Sequence, residues 1–217
     1  MLGFTYQLVR MIIKATKTSR NPTETRRKLI DATVRLMLHQ GFAATTVDQI
    51  CAESGLTKGS FFHHFDTKEA IAQAAVAAFT EMGMSLYAPA LEAADPLEQL
   101  YRLLDIMGGL PTQSENIVAC LVGMLSQEMA LTHPAMREAL VGHMNGWMTM
   151  VIQMLTAAKA AHRPKVDFDP EQVAWLLYSL WQGSMLVSKT QQKPELIVSV
   201  VRQARDHVNG LFAPNES

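Results

Sequence analysis

Residues 46–68 gather Thr46, Thr57, Lys58, Ser60, His63 and Lys68 within one short stretch, interleaved with Gly59 and Phe62. The part from Thr57 to Phe65 has no acidic residue and is flanked by Lys58 and Lys68, so its hydroxyls and these ammonium groups suit a polyanion. They donate to phosphate oxygens, and a lysine can also reach guanine O6 and N7. Gly59 has no side chain, so it permits only close approach or an apolar contact.

The surrounding residues say how such a set would be held. Thr46 is a candidate N-cap, and Gln49 three residues on completes a capping box. Val47, Ile50 and Cys51 follow at helical spacing and face inward. Gly55 supplies the residue that takes positive φ at a bend. Thr57 is a second N-cap, and a short helix from Lys58 to His64 follows. Phe61 and Phe65, four apart, pin that helix to a core, which leaves Gly59, Ser60, Phe62 and His63 on or near its outer side. Asp66 or Thr67 caps the next helix, with Lys68 in its first turn. Two short helices joined by a tight turn form the layout of a DNA-binding helix-turn-helix, here at about residues 46–65.

This pattern resembles the DNA-binding signature of the tetracycline-repressor (TetR/AcrR) family of bacterial transcriptional regulators. The resemblance begins at Thr25-Arg26-Arg27-Lys28-Leu29-Ile30-Asp31-Ala32-Thr33. It runs through Gly41-Phe42 and Thr45-Thr46-Val47 to Lys68-Glu69-Ala70-Ile71. It implies that Lys58 and Gly59 read base edges, that Thr57, Ser60, Phe62 and His63 contact backbone or mixed positions, and that Thr46 and Lys68 meet phosphates at helix N-termini. Helix starts favour anions on physical grounds as well. The family most often has tyrosine where this chain has Phe62. A phenyl ring cannot hydrogen-bond a phosphate, though it can touch a thymine methyl or a sugar, and His63 is placed to supply the missing contact.

The net charge of −1 conceals an asymmetry. Residues 1–68 hold ten Lys/Arg against five Asp/Glu, a balance of +5, and residues 69–217 hold nine against fifteen, −6. A basic N-terminal part attracts phosphate, while the acidic remainder does not. Cys51 and Cys120 lie inside apolar helical patterns, which points to a reducing cytoplasm rather than a disulfide scaffold. No apolar run approaches a membrane span. Residues 1–20 lack a clean signal-peptide core and read as a disordered basic arm or an upstream-start extension, with Met11 as an alternative initiator.

Beyond the reader the chain is helix after helix, an all-α protein. Asn21-Pro22 opens the first helix, with stripe Leu29, Ile30, Thr33, Leu36 and Met37, and Gly41 ends it. A fourth helix, from about Lys68 to Met84, ends before Pro89. Further helices start at Asp95-Pro96, at about Glu115 (to Leu131), after His133-Pro134, at Asp169-Pro170 and at Lys193-Pro194. The expected organisation is an extension over 1–20, a DNA-binding domain with its connecting helix over 21–84, and a helical ligand-binding and dimerisation domain over 85–213.

Two features of the second domain have a functional and a packing interpretation each. Val173, Leu177, Leu180, Gly183 and Ser184, with Ile197, Val201, Ala204 and Val208, form stripes on the last two helices. They fit a dimer surface or a core-facing stripe, and the resemblance implies the dimer, because that family pairs through its last two helices. Met107, Met124, Met144, Trp147, Met148 and Trp175 fit either an adaptable apolar ligand pocket or core filler. His133 and His143 are ten apart, and no cluster has metal-ligand spacing. No cofactor is implied.

The sequence thus reads as a homodimeric, ligand-responsive DNA-binding regulator, most simply a repressor released from a palindromic double-stranded operator by a small-molecule effector. Two recognition helices about 34–36 Å apart would read successive major grooves. One alternative is a regulator of the same fold that senses oxidants or electrophiles through Cys120. Another is a helical interaction protein with a degenerate reader. An enzyme is disfavoured, since the chain has no Gly-rich phosphate loop, no G-x-S-x-G and no His–carboxylate pair at catalytic spacing.

Overall fold

The computed structural model describes residues 22–113 and 119–212. The proposed extension over 1–20 and the Asn21 cap lie outside them. Helices follow one another as α1 (Pro22–Gln40), α2 (Val47–Ser54), α3 (Lys58–His64), α4 (Lys68–Leu91), α5 (Pro96–Gly109), α6 (Leu121–Met129), α7 (Pro134–His162), α8 (Pro170–Gln191) and α9 (Glu195–Phe212), with a 3-10 turn at Leu110–Gln113 after α5. Among the described residues there is no strand.

Helix boundaries follow the capping chemistry. Asp95 and Asp169 accept backbone N–H groups at the starts of α5 and α8, each followed by a proline. Thr67 rather than Asp66 accepts at the start of α4, from the Ala70 N–H at 3.0 Å. Two boundaries differ from the sequence expectation. Helix α4 runs through Pro89 to Leu91. A proline in the final turn removes one N–H from the ladder but leaves the turns before it intact. Helix α6 begins at Leu121, with Cys120 as its N-cap residue, not near Glu115; residues 115–118 lie outside the described residues.

The chain divides into two compact units. One takes the described residues through Met82 together with Ala119–His143; the other takes those of Gly83–Val118 and Met144–Ser217. Residues 119–143 therefore cluster with the N-terminal helices, not with the segment 85–213 that follows them in sequence. The division falls inside both α4 and α7.

In the first unit α1 packs on α2, α3 and α6. Leu29, Met37, Ile50, Phe61, Ile71, Leu125 and Met129 are fully enclosed. Each such side chain contributes about 1.5–3 kcal/mol relative to exposure. Thr33 sits among them because its hydroxyl donates to the Leu29 carbonyl at 2.8 Å. In the second unit α9 packs on α8 and on α5. A Cβ at Gly108 would stand 3.3 Å from Val201 Cγ1, so the glycine permits the close approach of α5 and α9.

Candidate nucleic-acid interface

Helix α2 starts on a reciprocal cap. Gln49 N–H donates to Thr46 Oγ1 at 3.2 Å, and Thr46 N–H donates to Gln49 Oε1 at 2.9 Å. Gln40 of α1 joins this cap, donating to Gln49 Oε1 at 3.1 Å and to the Ala44 carbonyl at 2.8 Å. Arg35 of α1 meets Glu53 of α2 at 2.8 Å. At the far end of α2, Gly55 adopts φ +70°, the left-handed conformation that glycine takes without steric cost. Thr57 then caps α3, accepting from Ser60 N–H at 3.2 Å.

Helix α3 is held from beneath. Phe61 is fully buried, and Phe65 packs at 6.0 Å from it between ring centroids. Arg26 lies 5.0 Å over the Phe65 ring. With those two rings down, Lys58, Gly59, Phe62 and His63 are left exposed on the other side, and Ser60 is half-buried. Phe62 keeps 54% of its surface in solvent, edge-on to Phe61. So large an exposed ring on so short a helix has an apolar face to offer. Thr46 and Thr57 are exposed at the two helix starts.

Two residues in this region carry contacts that the sequence did not announce. The Lys58 ammonium is paired with Asp48 of α2 at 2.7 Å, and the hydrogen bond it donates to Asp48 raises the lysine pKa above its ordinary value. Both partners are well exposed, so the pair is readily exchanged for another anion. Lys68 is half-buried, and its ammonium donates to the carbonyls of Phe42 and Thr45, both at 2.9 Å, with the Phe42 ring 4.0 Å away. An ammonium has three donors, and two of them are engaged with the turn. Burial pushes the Cys51 thiol up, and Asp48 adds to this; Cys51 is a packing residue on the buried face of α2.

The same turn, Gly41 to Thr45, is gripped from its other side by Glu128 of α6. Its carboxylate accepts the N–H of Phe42 and the N–H of Ala43, each at 2.7 Å. Sequence reasoning missed Glu128, which lies 86 positions from Phe42 and carries no local signal. Asp48 could have been noticed as an acidic neighbour of the α2 start, but not as the partner of Lys58.

The remaining candidate residues fall in different places. Val173, Leu177, Ser184, Ile197, Val201, Ala204 and Val208 are buried within the chain's own second unit, and Leu180 is half-buried. Their apolar stripes are spent on packing α8, α9 and α5 together, so they are not open to a second copy. Gly183 alone of that set is exposed. It belongs to the opposite face of α8, where Trp175, Leu176, Leu186 and Val187 keep 40–50% of their surface exposed. Of the methionine and tryptophan set, Met107, Trp147 and Met148 are buried in the second unit and Met144 is half-buried there. Met124 belongs to the first unit, and Trp175 lies on the exposed face of α8. Trp147 stacks obliquely on Tyr178 at 5.3 Å, and its indole N–H is buried with no hydrogen-bond partner among the described residues. Cys120 is half-buried at the start of α6. Among the described residues no group of three His, Cys, Asp or Glu could hold a metal ion, and no helix is long and apolar enough to cross a membrane.

Comparison with known proteins adds a second line of support. Residues 29–84 match the family described as bacterial regulatory proteins, tetR family, and residues 96–204 match the tetracyclin repressor-like C-terminal domain. The transcriptional regulator AcuR of Cereibacter sphaeroides is 29% identical over 183 residues, covering 82% of this chain and 83% of that protein. The HTH-type transcriptional repressor NemR of Escherichia coli K12 is 28% identical over 196 residues, covering 88% and 94%. The crystal structure of regulatory protein TetR from Rhodobacter sphaeroides superimposes with a TM-score of 0.73 at 27% identity, over 84% of this chain and 98% of that one.

Proposed function

The chain belongs to the tetR family of bacterial regulatory proteins, and from that premise we propose a repressor that grips a palindromic operator as a homodimer and lets go when a small molecule binds. The observation that carries this reading is the outward row of Lys58, Gly59, Phe62 and His63 on a helix pinned by Phe61 and Phe65.

In this reading α3 enters the major groove. Lys58 leaves Asp48 and donates to a guanine edge. Phe62 lies against a thymine methyl or sugar. Thr46, Thr57, Ser60, His63 and Lys68 contact the phosphate backbone and set the register. The second copy packs on the outer face of α8, where Ser179 and Gly183 lie between Trp175, Leu176, Leu186 and Val187. A Cβ at Gly183 would meet nothing within 4 Å, so the glycine leaves room for a neighbouring helix.

The effector site lies in the second unit, around Met107, Met144, Trp147 and Met148. Supporting it, the buried Trp147 N–H has no partner among the described residues. Native proteins rarely leave such a donor unpaired, and a ligand oxygen would satisfy it. Release from DNA requires the effector to prefer the conformation whose α3 helices are wrongly spaced for the operator. By reciprocity the operator weakens effector binding by the same factor.

A gel shift with duplex from upstream of the protein's own gene tests the core of this reading. Retention of that duplex, abolished by excess of the same sequence but not by random duplex, is the expected result. Equal competition by both would reduce the protein to a nonspecific polyanion binder and overturn it.

A further inference from the structure

Glu128 lies within the segment 96–204 that matches the C-terminal domain of the family, yet its carboxylate is bonded to the turn between α1 and α2. Its two oxygens take consecutive main-chain N–H groups, Phe42 and Ala43, at 2.7 Å each. Successive N–H groups pointing one way form an anion-binding concavity, and here the chain fills it with its own carboxylate. Gly41 makes the approach possible. It has φ +80°, and a Cβ there would come within 2.9 Å of Glu128 Oε2.

Three further features make the grip directional. Leu125 and Met129 are fully buried, so α6 is rooted in the core of the first unit and Glu128 projects from a fixed base. The Phe42 ring meets the edge of His133 at 5.5 Å, which brings the loop after α6 onto the same turn. The turn itself is stiff. Thr45 Oγ1 donates to the Gly41 carbonyl at 2.6 Å, and Lys68 holds the Phe42 and Thr45 carbonyls. The next residue, Thr46, is the N-cap of α2. An unbroken series of polar contacts thus runs from α6 through Glu128 and the Gly41–Thr45 turn to the first helix of the reader.

We infer that Glu128 is a positioning residue for DNA recognition: it transmits the setting of α6 to the turn that launches the helix-turn-helix, without touching DNA. The inference rests on the DNA-binding reading above. It makes a prediction opposite to simple electrostatics. Removing an acidic group from a DNA-binding unit strengthens attraction to phosphate. Removing a positioning carboxylate weakens recognition of the correct sequence.

The test uses the full chain and a duplex selected by the wild-type protein from a random-sequence pool. Fluorescence anisotropy gives the affinity of wild type, Glu128→Ala and Glu128→Gln for that duplex and for a scrambled one. Proton–nitrogen correlation spectra report the Phe42 and Ala43 amides. Glu128→Ala is expected to bind the selected duplex at least fivefold more weakly, while the scrambled duplex is bound equally or more tightly. Glu128→Gln, which loses the charge but keeps one acceptor oxygen at the same reach, recovers part of the loss. Both amide resonances move upfield in the alanine variant. Unchanged or raised affinity of Glu128→Ala for the selected duplex overturns the inference, as do amides that do not move. Should Glu128→Ala fail to fold at the assay temperature, Glu128→Gln decides: full wild-type discrimination between the two duplexes overturns the inference, and reduced discrimination upholds it. A wild type that enriches no duplex overturns the DNA-binding reading, and this inference with it. A wild type that enriches one while both variants match it overturns this inference alone.

Discussion

Glu128 and Lys68 grip the main chain of one residue from its two poles: the carboxylate accepts the Phe42 N–H at 2.7 Å, and the ammonium donates to the Phe42 carbonyl at 2.9 Å. Each makes a second bond to the same turn, at Ala43 N–H and at the Thr45 carbonyl. Charge-assisted bonds are stronger than neutral ones. The geometry of Gly41–Thr45 therefore depends on two charged side chains from α4 and α6.

Lys68 holds this turn, and the proposed reading gives it a phosphate contact as well; one substitution separates the two roles. Lys68→Ala is expected to destabilise folding by about 1–2 kcal/mol, since its bonds are partly solvated, which is roughly 2–4 °C of melting temperature per kcal/mol in a chain of this size. It should also weaken DNA binding about equally across sequences, with a salt slope shallower by roughly one. Calorimetric melting and a salt titration check the two effects. A lowered melting temperature with an unchanged salt slope would confine Lys68 to the turn.

In the proposed reading, Asp48 competes with DNA for Lys58. Asp48→Asn frees the lysine and should raise affinity for the selected duplex a few-fold while leaving base preference intact. Lys58→Ala should cost roughly 1–3 kcal/mol of binding and relax preference at one base position. Binding to a panel of singly substituted duplexes reads both. If Lys58→Ala weakens every duplex alike, the lysine contacts phosphate and not a base.

The two faces of α8 should respond differently. Leu177 keeps only 2% of its surface exposed, and Leu177→Ala is expected to cost about 2–5 kcal/mol of folding stability with the assembly state unchanged in the molecules that stay folded. Leu186 is 50% exposed, so Leu186→Glu should leave the folded monomer nearly as stable and dissociate the dimer. Gly183→Leu should weaken the dimer as well. Sedimentation velocity at micromolar concentration gives the answer. A dimer that survives both outer-face substitutions would place the interface elsewhere.

Stability should fall in acid partly through Asp95. Its carboxylate accepts the Glu98 N–H at 3.0 Å, contacts His162 Nε2 at 2.6 Å and accepts the Leu97 N–H at 2.8 Å. The backbone bond from Glu98, foremost among these contacts, holds the carboxyl below the usual aspartate range. A folded pKa below the unfolded one means that the unfolded chain takes up the proton first. The stabilisation is fully present above the unfolded value and is lost as pH falls through the folded one. Asp95→Asn should therefore flatten the acid limb of the stability–pH curve. Parallel acid limbs in the two proteins would show that Asp95 contributes nothing to it.

Contacts within a few residues of one another were legible in the sequence. The Thr46–Gln49 box, the Gly55 bend, the Thr57 cap and the spacing of Phe61 and Phe65 are written within turns of helix, where backbone geometry alone brings the partners together. That locality, with the basic balance of the first 68 residues, was enough to recognise a DNA reader. Periodicity also showed that Val173, Leu177 and Ser184 share a face. It could not say whether that face meets the chain's own helices or another copy, because both burials demand the same residues at the same spacing. Only the packing of α9 and α5 decided it, turning those residues inward and leaving Trp175, Leu186 and Val187 outside. Tertiary structure likewise decided the partners of the charged groups. Lys58 with Asp48, Lys68 with the Phe42 carbonyl and Glu128 with the Phe42 N–H are separated by 10, 26 and 86 positions. A charge in a sequence has many potential partners at such distances, and the folded backbone selects one by bringing it within hydrogen-bond reach.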